Sequence, residues 1–325
     1  MNKKSNIKDV ARLANVSTAT VSRFLNGDLK RMSSKTAFKV NSAINILHYV
    51  PNFAARQMVT NSSRMIAVIV ANIDDYFSTE IFKGVSTYLE SNGYIAVLFD
   101  TNASEEREKE ILKNIKSYNF DGIIFQPNTT NWNFINSNLF NDTPTVLIDR
   151  EFNGIKWPQV LSNNYEIART ATLYFNKNGF KHIIVLTSKI DCVSTRRERF
   201  YGIKSVTQNI DIIEISETIY NMKEIIKKLL KLIKSSNDKT VIFSLKERWL
   251  LEIVPYLISK RILDNINLTT TGFIDTNIIR SIVPNAKFIT QNSFLMGGTA
   301  AELLVKIIKS KQNSDKKIII PAKFF

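Results

Sequence analysis

Histidine and cysteine, the side chains that most often carry catalysis and metal binding, are nearly missing from this chain: His48, His182 and Cys192 are all it has. None has a neighbour at ligand spacing, so a His/Cys zinc site is not expected. A Ser-His-Asp triad would have to use one of the two histidines, and no Gly-x-Ser-x-Gly turn exists to raise a nucleophile. Gly297-Gly298 lacks the spacing and the lysine of a phosphate-binding loop, and no Gly-x-Gly-x-x-Gly follows a strand. No pair of carboxylates is convincingly matched for acid–base work. The residues therefore predict no enzyme, no cofactor and no metal. A lone cysteine excludes an intramolecular disulfide and fits a reducing, cytoplasmic setting. The start, Met1-Asn2-Lys3-Lys4, lacks a signal-peptide pattern, and no run of about eighteen apolar residues predicts a membrane span.

Cations carry the remaining chemistry. Residues 1–64 hold eleven Lys/Arg against Asp9 and Asp28, a net charge of +9 within a chain total of +15. Basic excess packed into one small module is the electrostatic footprint of a polyanion binder. In the body, Arg150, Arg199 and Lys246, with Arg196 and Arg197 nearby, are cations of the kind that grip carboxylate or phosphate.

These residues need elements to hold them. Ile7, Val10, Ala11 and Ala14 fall at helical spacing, and Asn15 can take the left-handed turn that ends such a helix. Ser17 is expected to cap a second helix buried through Val21, Phe24 and Leu25. Asn26-Gly27-Asp28 breaks it. Ser33 or Ser34 caps a third, with Val40, Ala43, Ile44 and Leu47 inward, and Pro51-Asn52 ends it. From Met65 onward, apolar runs of strand length alternate with amphipathic helices: Met65–Ala71 then Phe77–Asn92, Ile95–Asp100 then Glu105–Tyr118, and so on past residue 240. Such alternation predicts buried parallel sheets. Two runs of this kind predict two facing α/β subdomains, with a ligand cleft between them.

The segment Ile7-Lys8-Asp9-Val10-Ala11-Arg12-Leu13-Ala14-Asn15-Val16-Ser17-Thr18-Ala19-Thr20-Val21-Ser22-Arg23-Phe24-Leu25-Asn26 resembles the DNA-reading signature of the lac-repressor (LacI/GalR) family. Met32-Ser33, Thr36, Val40, Tyr49, Pro51-Asn52 and Ala55-Arg56 continue the resemblance. It implies a small all-α helix-turn-helix module joined to a body of two doubly wound parallel-sheet subdomains like periplasmic binding proteins. The expected organisation is 1–51 for DNA binding, 52–64 as hinge, and 65–325 as effector and dimerisation body. Within the body, one subdomain would take 65–161 with 291–315, the other 162–290 with 316–325. Crossings are expected near Ser162-Asn163, near Thr290-Gln291 and before Ile318–Pro321.

A helix in the major groove reads base edges with its first residues. Thr18, Ala19 and Arg23 are the expected readers, and Ser17, Thr20, Ser22 and Asn26 the phosphate contacts. In the hinge, Asn52, Ala55 and Arg56 follow the family. Met58 stands where many members carry a leucine that wedges into the minor groove, and Met58 with Ala55 is the expected wedge. Paired wedges imply a homodimer on a roughly palindromic operator.

The body's resemblance rests on Ile66-Ala67-Val68-Ile69-Val70, Asp121-Gly122-Ile123-Ile124, Val146-Leu147-Ile148-Asp149-Arg150, Arg199-Phe200-Tyr201-Gly202, Gly272-Phe273 and Gln291. By position it implies effector contacts from Asp74, Asp75, Tyr76, Phe77, Gln126, Asp149, Arg150, Ser194, Arg199, Lys246, Ile274 and Gln291. Two positions depart from the family: Lys246-Glu247 replaces an Asn-Asp pair, and Ile274 stands where an aspartate grips sugar hydroxyls. Asp275, one place on, is expected to point elsewhere if the backbone is extended. With two sugar partners gone and cations in their place, the expected effector is anionic, a sugar phosphate or sugar acid. The function expected is repression of carbohydrate-use genes. Competing readings are a neutral sugar, or a regulator with no small-molecule effector that acts constitutively or through a protein partner.

Overall fold

Asn6 opens the first helix by a reciprocal cap: its side chain accepts from the Lys8 and Asp9 amides, and Asp9 accepts from the Asn6 amide. That capping box satisfies amide donors which have no partner inside the helix. Helix α1 (Ile7–Ala14) ends at Asn15, left-handed at φ 55°. Ser17 caps α2 (Thr18–Leu25) through the Thr20 amide, and Ser33 caps α3 (Ser34–Ile46) through that of Thr36. Val10, Ala11, Ala14, Val21, Val40 and Ala43 are buried together, with Phe24, Leu25, Ile44 and Leu47 half-buried around them. Three short helices thus share one core.

The computed structural model describes residues 5–25, 27–29, 32–50, 62–128, 143–152, 154, 157–310 and 316–325. The chain divides into two units, Met1–Ser63 and Arg64–Phe325.

The larger unit contains two six-stranded sheets, one in each lobe. The first is ordered β11-β5-β4-β3-β1-β2 and is parallel throughout; its strands are β1 (Met65–Val70), β2 (Ile95–Asp100), β3 (Gly122–Phe125), β4 (Thr145–Ile148), β5 (Gln159–Ser162) and β11 (Lys317–Ile320). The second is ordered β12-β10-β9-β8-β6-β7, with β6 (Phe180–Thr187), β7 (Ile210–Glu214), β8 (Lys239–Ser244), β9 (Leu268–Ile274), β10 (Ile289–Thr290) and β12 (Lys323–Phe324), the last antiparallel. Alternate residues of each central strand feed opposite cores, which is why these strands read as continuous apolar runs. In β1, Ile66, Val68 and Val70 pack with α4 (Tyr76–Ser91), whereas Ala67 and Ile69 pack with α5 (Glu105–Ile115). In β6, Ile183 and Val185 meet α6 (Asn164–Lys177) and α7 (Ser194–Lys204). Ile184 and Leu186 meet α8 (Met222–Ser235) and α9 (Glu247–Ser259). Short α10 (Ile278–Ile282) and long α11 (Ser293–Ser310) complete the order.

One expected crossing moves. Lys317–Ile320 pairs with Gln159–Ser162 in the first sheet, so the chain returns to the second lobe only at Pro321-Ala322, before β12. An apolar tetrapeptide predicts a strand but not which sheet edge accepts it.

Candidate functional site

In the amino-terminal unit, the caps decide which face of α2 stays open. Val21 is buried while Ser17, Thr18, Ala19 and Arg23 are exposed and Thr20 and Ser22 are half-buried. Thr18, Ala19 and Arg23 therefore share the solvent side of the second helix. Ser17 also meets the Thr20 hydroxyl at 2.9 Å. Asn26, Asn52, Ala55, Arg56 and Met58 lie outside the described residues.

In the body, the carboxyl ends of the strands face one pocket between the lobes, with about 480 Å³ of free space, part of it continuous with bulk solvent. From the first lobe come Asp75, Phe77, Gln126, Asp149 and Arg150; from the second, Thr195, Arg196, Arg199, Lys246, Phe273 and Asp275, with Gln291 beside the crossing. Asp149 follows β4 with φ 70°, and the Arg150 amide donates to the Ile148 carbonyl at 2.8 Å, a γ-turn centred on Asp149. That conformation is costly for a non-glycine residue and recurs where a side chain must be aimed. Gln126 secures the aim: its amide nitrogen donates to Asp149 Oδ2 at 2.8 Å while its oxygen accepts from the Ala71 amide at 2.9 Å. Arg150 Nη1 donates to the Pro127 carbonyl and to Asn128 Oδ1, which orients its Nε back toward Asp149.

Arg199 is held on three sides. Its Nε donates to Asn164 at 2.8 Å, Nη1 to the Leu245 carbonyl at 2.7 Å and Nη2 to Gln291 Oε1 at 3.1 Å. The guanidinium lies 3.8 Å over the Phe273 ring, a cation–π contact that also fixes its plane. Lys246 is shared between Asp75 at 2.9 Å and Glu217 at 2.8 Å, and Arg196 meets Glu217 at 3.0 Å. Burial alone would raise Glu217, but Lys246 and Arg196 more than reverse it and bring its pKa to about 2. Asp275 moves the other way: burial first, then Asp75 and Glu247, lift its pKa well above the usual carboxylate range. Burial likewise raises Glu247, whose carboxylate accepts from the Asp275 and Thr276 amides.

Among the described residues, four buried side-chain atoms lack a hydrogen-bond partner: Asp149 Oδ1, Arg150 Nε, Asp275 Oδ1 and Gln291 Nε2. All four belong to residues lining this pocket. An unmatched buried polar atom costs about 1–3 kcal/mol, so natural structures keep few of them, and their convergence marks a place built to meet something polar.

The expected contacts divide. Phe77, Gln126, Asp149, Arg150, Arg199, Lys246 and Gln291 come together around the pocket. Asp74 instead faces Arg248 at 3.7 Å, Tyr76 is exposed, and Ser194 accepts from the Glu151 amide at 2.8 Å, so these three do not line it. Ile274 packs into the core of Leu250, Val254, Ile279 and Phe288, while Asp275 lines the pocket, contrary to the expectation that it points away. Strand alternation holds but in the opposite phase: Phe273 and Asp275 share the pocket side and Ile274 takes the other. Sequence reasoning missed Glu217, whose link to Lys246 spans 29 residues and carries no local signal.

Residues 6–52 match the family model described as bacterial regulatory proteins, lacI family, and residues 66–312 match that of a periplasmic binding protein domain. A crystal structure of a LacI transcriptional regulator from Lactobacillus brevis is 47% identical, covering 80% of this chain and 100% of that one, with a TM-score of 0.76. The chain belongs to the lacI family. It is a DNA-binding transcriptional regulator. The HTH-type transcriptional regulator KdgR of Bacillus subtilis is 29% identical over 324 residues, 98% of this regulator and 95% of the relative. The lac repressor dimer bound to operator and the anti-inducer ONPF shares the fold with a TM-score of 0.83 at 18% identity, over 99% of this chain and 98% of that one. Among the described residues, no helix is long and apolar enough to cross a membrane, and no cluster of His, Cys, Asp and Glu is arranged to hold a metal ion.

Proposed function

We infer that this regulator is a repressor of carbohydrate-use genes that binds a roughly palindromic operator as a homodimer. Its effector is an anionic sugar derivative, a sugar acid or sugar phosphate, bound between the lobes. The operator reading is supported by the exposed Thr18, Ala19 and Arg23 on α2, where Arg23 has the fork that pairs with guanine. The dimer is supported by the likeness to the lac repressor, whose structure on its operator is a dimer.

The charge around the pocket carries the effector reading. Arg150, Arg196, Arg199 and Lys246 contribute four cations. Asp75, Asp149 and Glu217 oppose them, and burial raises the pKa of Asp275 and Glu247 above the usual carboxylate range. The unpartnered Arg150 Nε and Gln291 Nε2 are donors for an acid group, and Asp149 Oδ1 is an acceptor for a sugar hydroxyl.

An effector that prefers one arrangement of the lobes shifts operator affinity by its differential affinity for the two, and DNA alters effector affinity by the same factor. A thermal-shift screen of neutral sugars, sugar acids and sugar phosphates tests the effector class. Stabilisation by acids or phosphates is expected; stabilisation by neutral sugars alone would sink it.

A further inference from the structure

Two helices begin on opposite sides of the cleft, and in neither does the N-cap side chain bond its own first turn. Asp75 is the N-cap residue of α4 in the first lobe, a position where aspartate ordinarily accepts from the first-turn amides, yet its side chain makes no capping bond. Lys246 is the N-cap residue of α9 in the second lobe, where a cation opposes the helix dipole. Each local misfit is resolved across the cleft, where Lys246 Nζ lies 2.9 Å from Asp75 Oδ2 with both side chains largely buried. Beside it, Asp74 faces Arg248 of the same helix start at 3.7 Å.

Both halves are set before they meet. On the first lobe, the Ile73 amide donates to Asp100 at 3.2 Å and the Asp74 amide to Asn72 at 2.9 Å, fixing the loop that presents the two aspartates. On the second lobe, Glu217 holds Lys246 from its own side, itself fixed by Ser188 and Arg196. Lys246 thus has one carboxylate of its own lobe and one of the other. Local choices that conflict with their own element belong where function imposes them.

We propose that the Lys246–Asp75 pair is a latch between the lobes, with Asp75 standing where the acid group of an effector engages Lys246. The second half of this statement rests on the anionic-effector reading; the first does not. An entering carboxylate or phosphate exchanges with Asp75 for the ammonium, so the chain's own acid both closes the empty cleft and selects an effector that can replace it. A neutral sugar cannot make that exchange without leaving Lys246 short of a charge.

The Asp75→Ala variant cuts the latch cleanly: no helix cap is lost with it, and Lys246 keeps Glu217. Hydrogen–deuterium exchange on the full chain without ligand reads the opening. Peptides covering Ala71–Ser78 and Leu245–Leu250 should exchange about tenfold faster in the variant, the equivalent of losing a partly buried charge pair, while Ile183–Thr187 in β6 stays protected. Unchanged exchange, or a uniform rise that includes β6, overturns the latch. Calorimetric titration of both proteins with D-gluconate and D-galacturonate, against D-glucose and D-galactose, tests the stand-in. Acid binding about tenfold tighter in the variant than in the wild type is expected, with no such gain for the neutral sugars. Equal acid affinity in the two proteins overturns the stand-in. Binding of neither acid by either protein overturns it together with the anionic-effector reading, while the exchange result separately decides the latch.

Discussion

Arg199 has every nitrogen bonded to the protein itself, at Asn164, Leu245 and Gln291, which makes it a fixture of the pocket rather than a mobile hand. Arg199→Ala is therefore expected to abolish the effector-induced thermal shift while operator binding, carried by a separate unit, persists. Loss of DNA binding in a folded Arg199→Ala protein would contradict that division of labour. On the other unit, Arg23→Ala should cost about 1–3 kcal/mol against one base pair of the operator, read by competition among operator variants. Two glutamates set opposing pH trends. Glu217, lowered to about 2, stabilises the body above the ordinary carboxyl range, and that contribution is lost as pH falls toward its folded value. Glu198 is raised to about 7, by burial first and then by Glu151. The unfolded chain releases that proton earlier than the folded one, so Glu198 removes stability as pH rises from the ordinary carboxyl value to about 7. Urea midpoints of the body at about pH 5 and about pH 8 should fall less in Glu198→Gln than in the wild type. Much of the pocket was legible in the sequence, because Gln126, Asp149, Arg150, Arg199 and Gln291 sit at positions the family resemblance marks. Asp275 was not, because reading it requires the phase of β9, and Gly272-Phe273-Ile274-Asp275 permits either phase.

Among the elements, α4 and α11 show what periodicity leaves out. Apolar spacing predicts α4, but its closeness to α11 depends on Gly84 and Gly297. A Cβ at Gly84 would fall against the Phe294 carbonyl, and one at Gly297 against that of Ile81. Backbone cannot yield as a flexible side chain does, so Gly84→Ala should destabilise the first lobe by about 1–3 kcal/mol in a denaturant titration. The same limit governs the strands. Continuous apolar runs predicted buried parallel sheets, and both sheets carry cores on each face. What such runs cannot specify is the partner, so the pairing of Lys317–Ile320 with the first sheet, and the displaced third crossing, were not legible. The caps Ser17 and Ser33 were the most readable parts, since each bonds the amide three residues on.

On the scale of the whole molecule, a basic DNA-binding unit and a two-lobed body divide recognition from control. One chain is expected to bind a specific operator and to loosen or tighten that grip when an acidic sugar enters the cleft. Fluorescence-anisotropy titration of the full chain onto the DNA upstream of its own gene tests this most directly. It is run in excess unrelated DNA, with and without sugar acids and sugar phosphates. Saturable binding at least about a thousandfold tighter than to the unrelated DNA is expected. That affinity should shift with an acid or phosphate and not with its neutral parent sugar. Affinity equal to that for unrelated DNA, or a specific complex that no acid or phosphate alters, would contradict it.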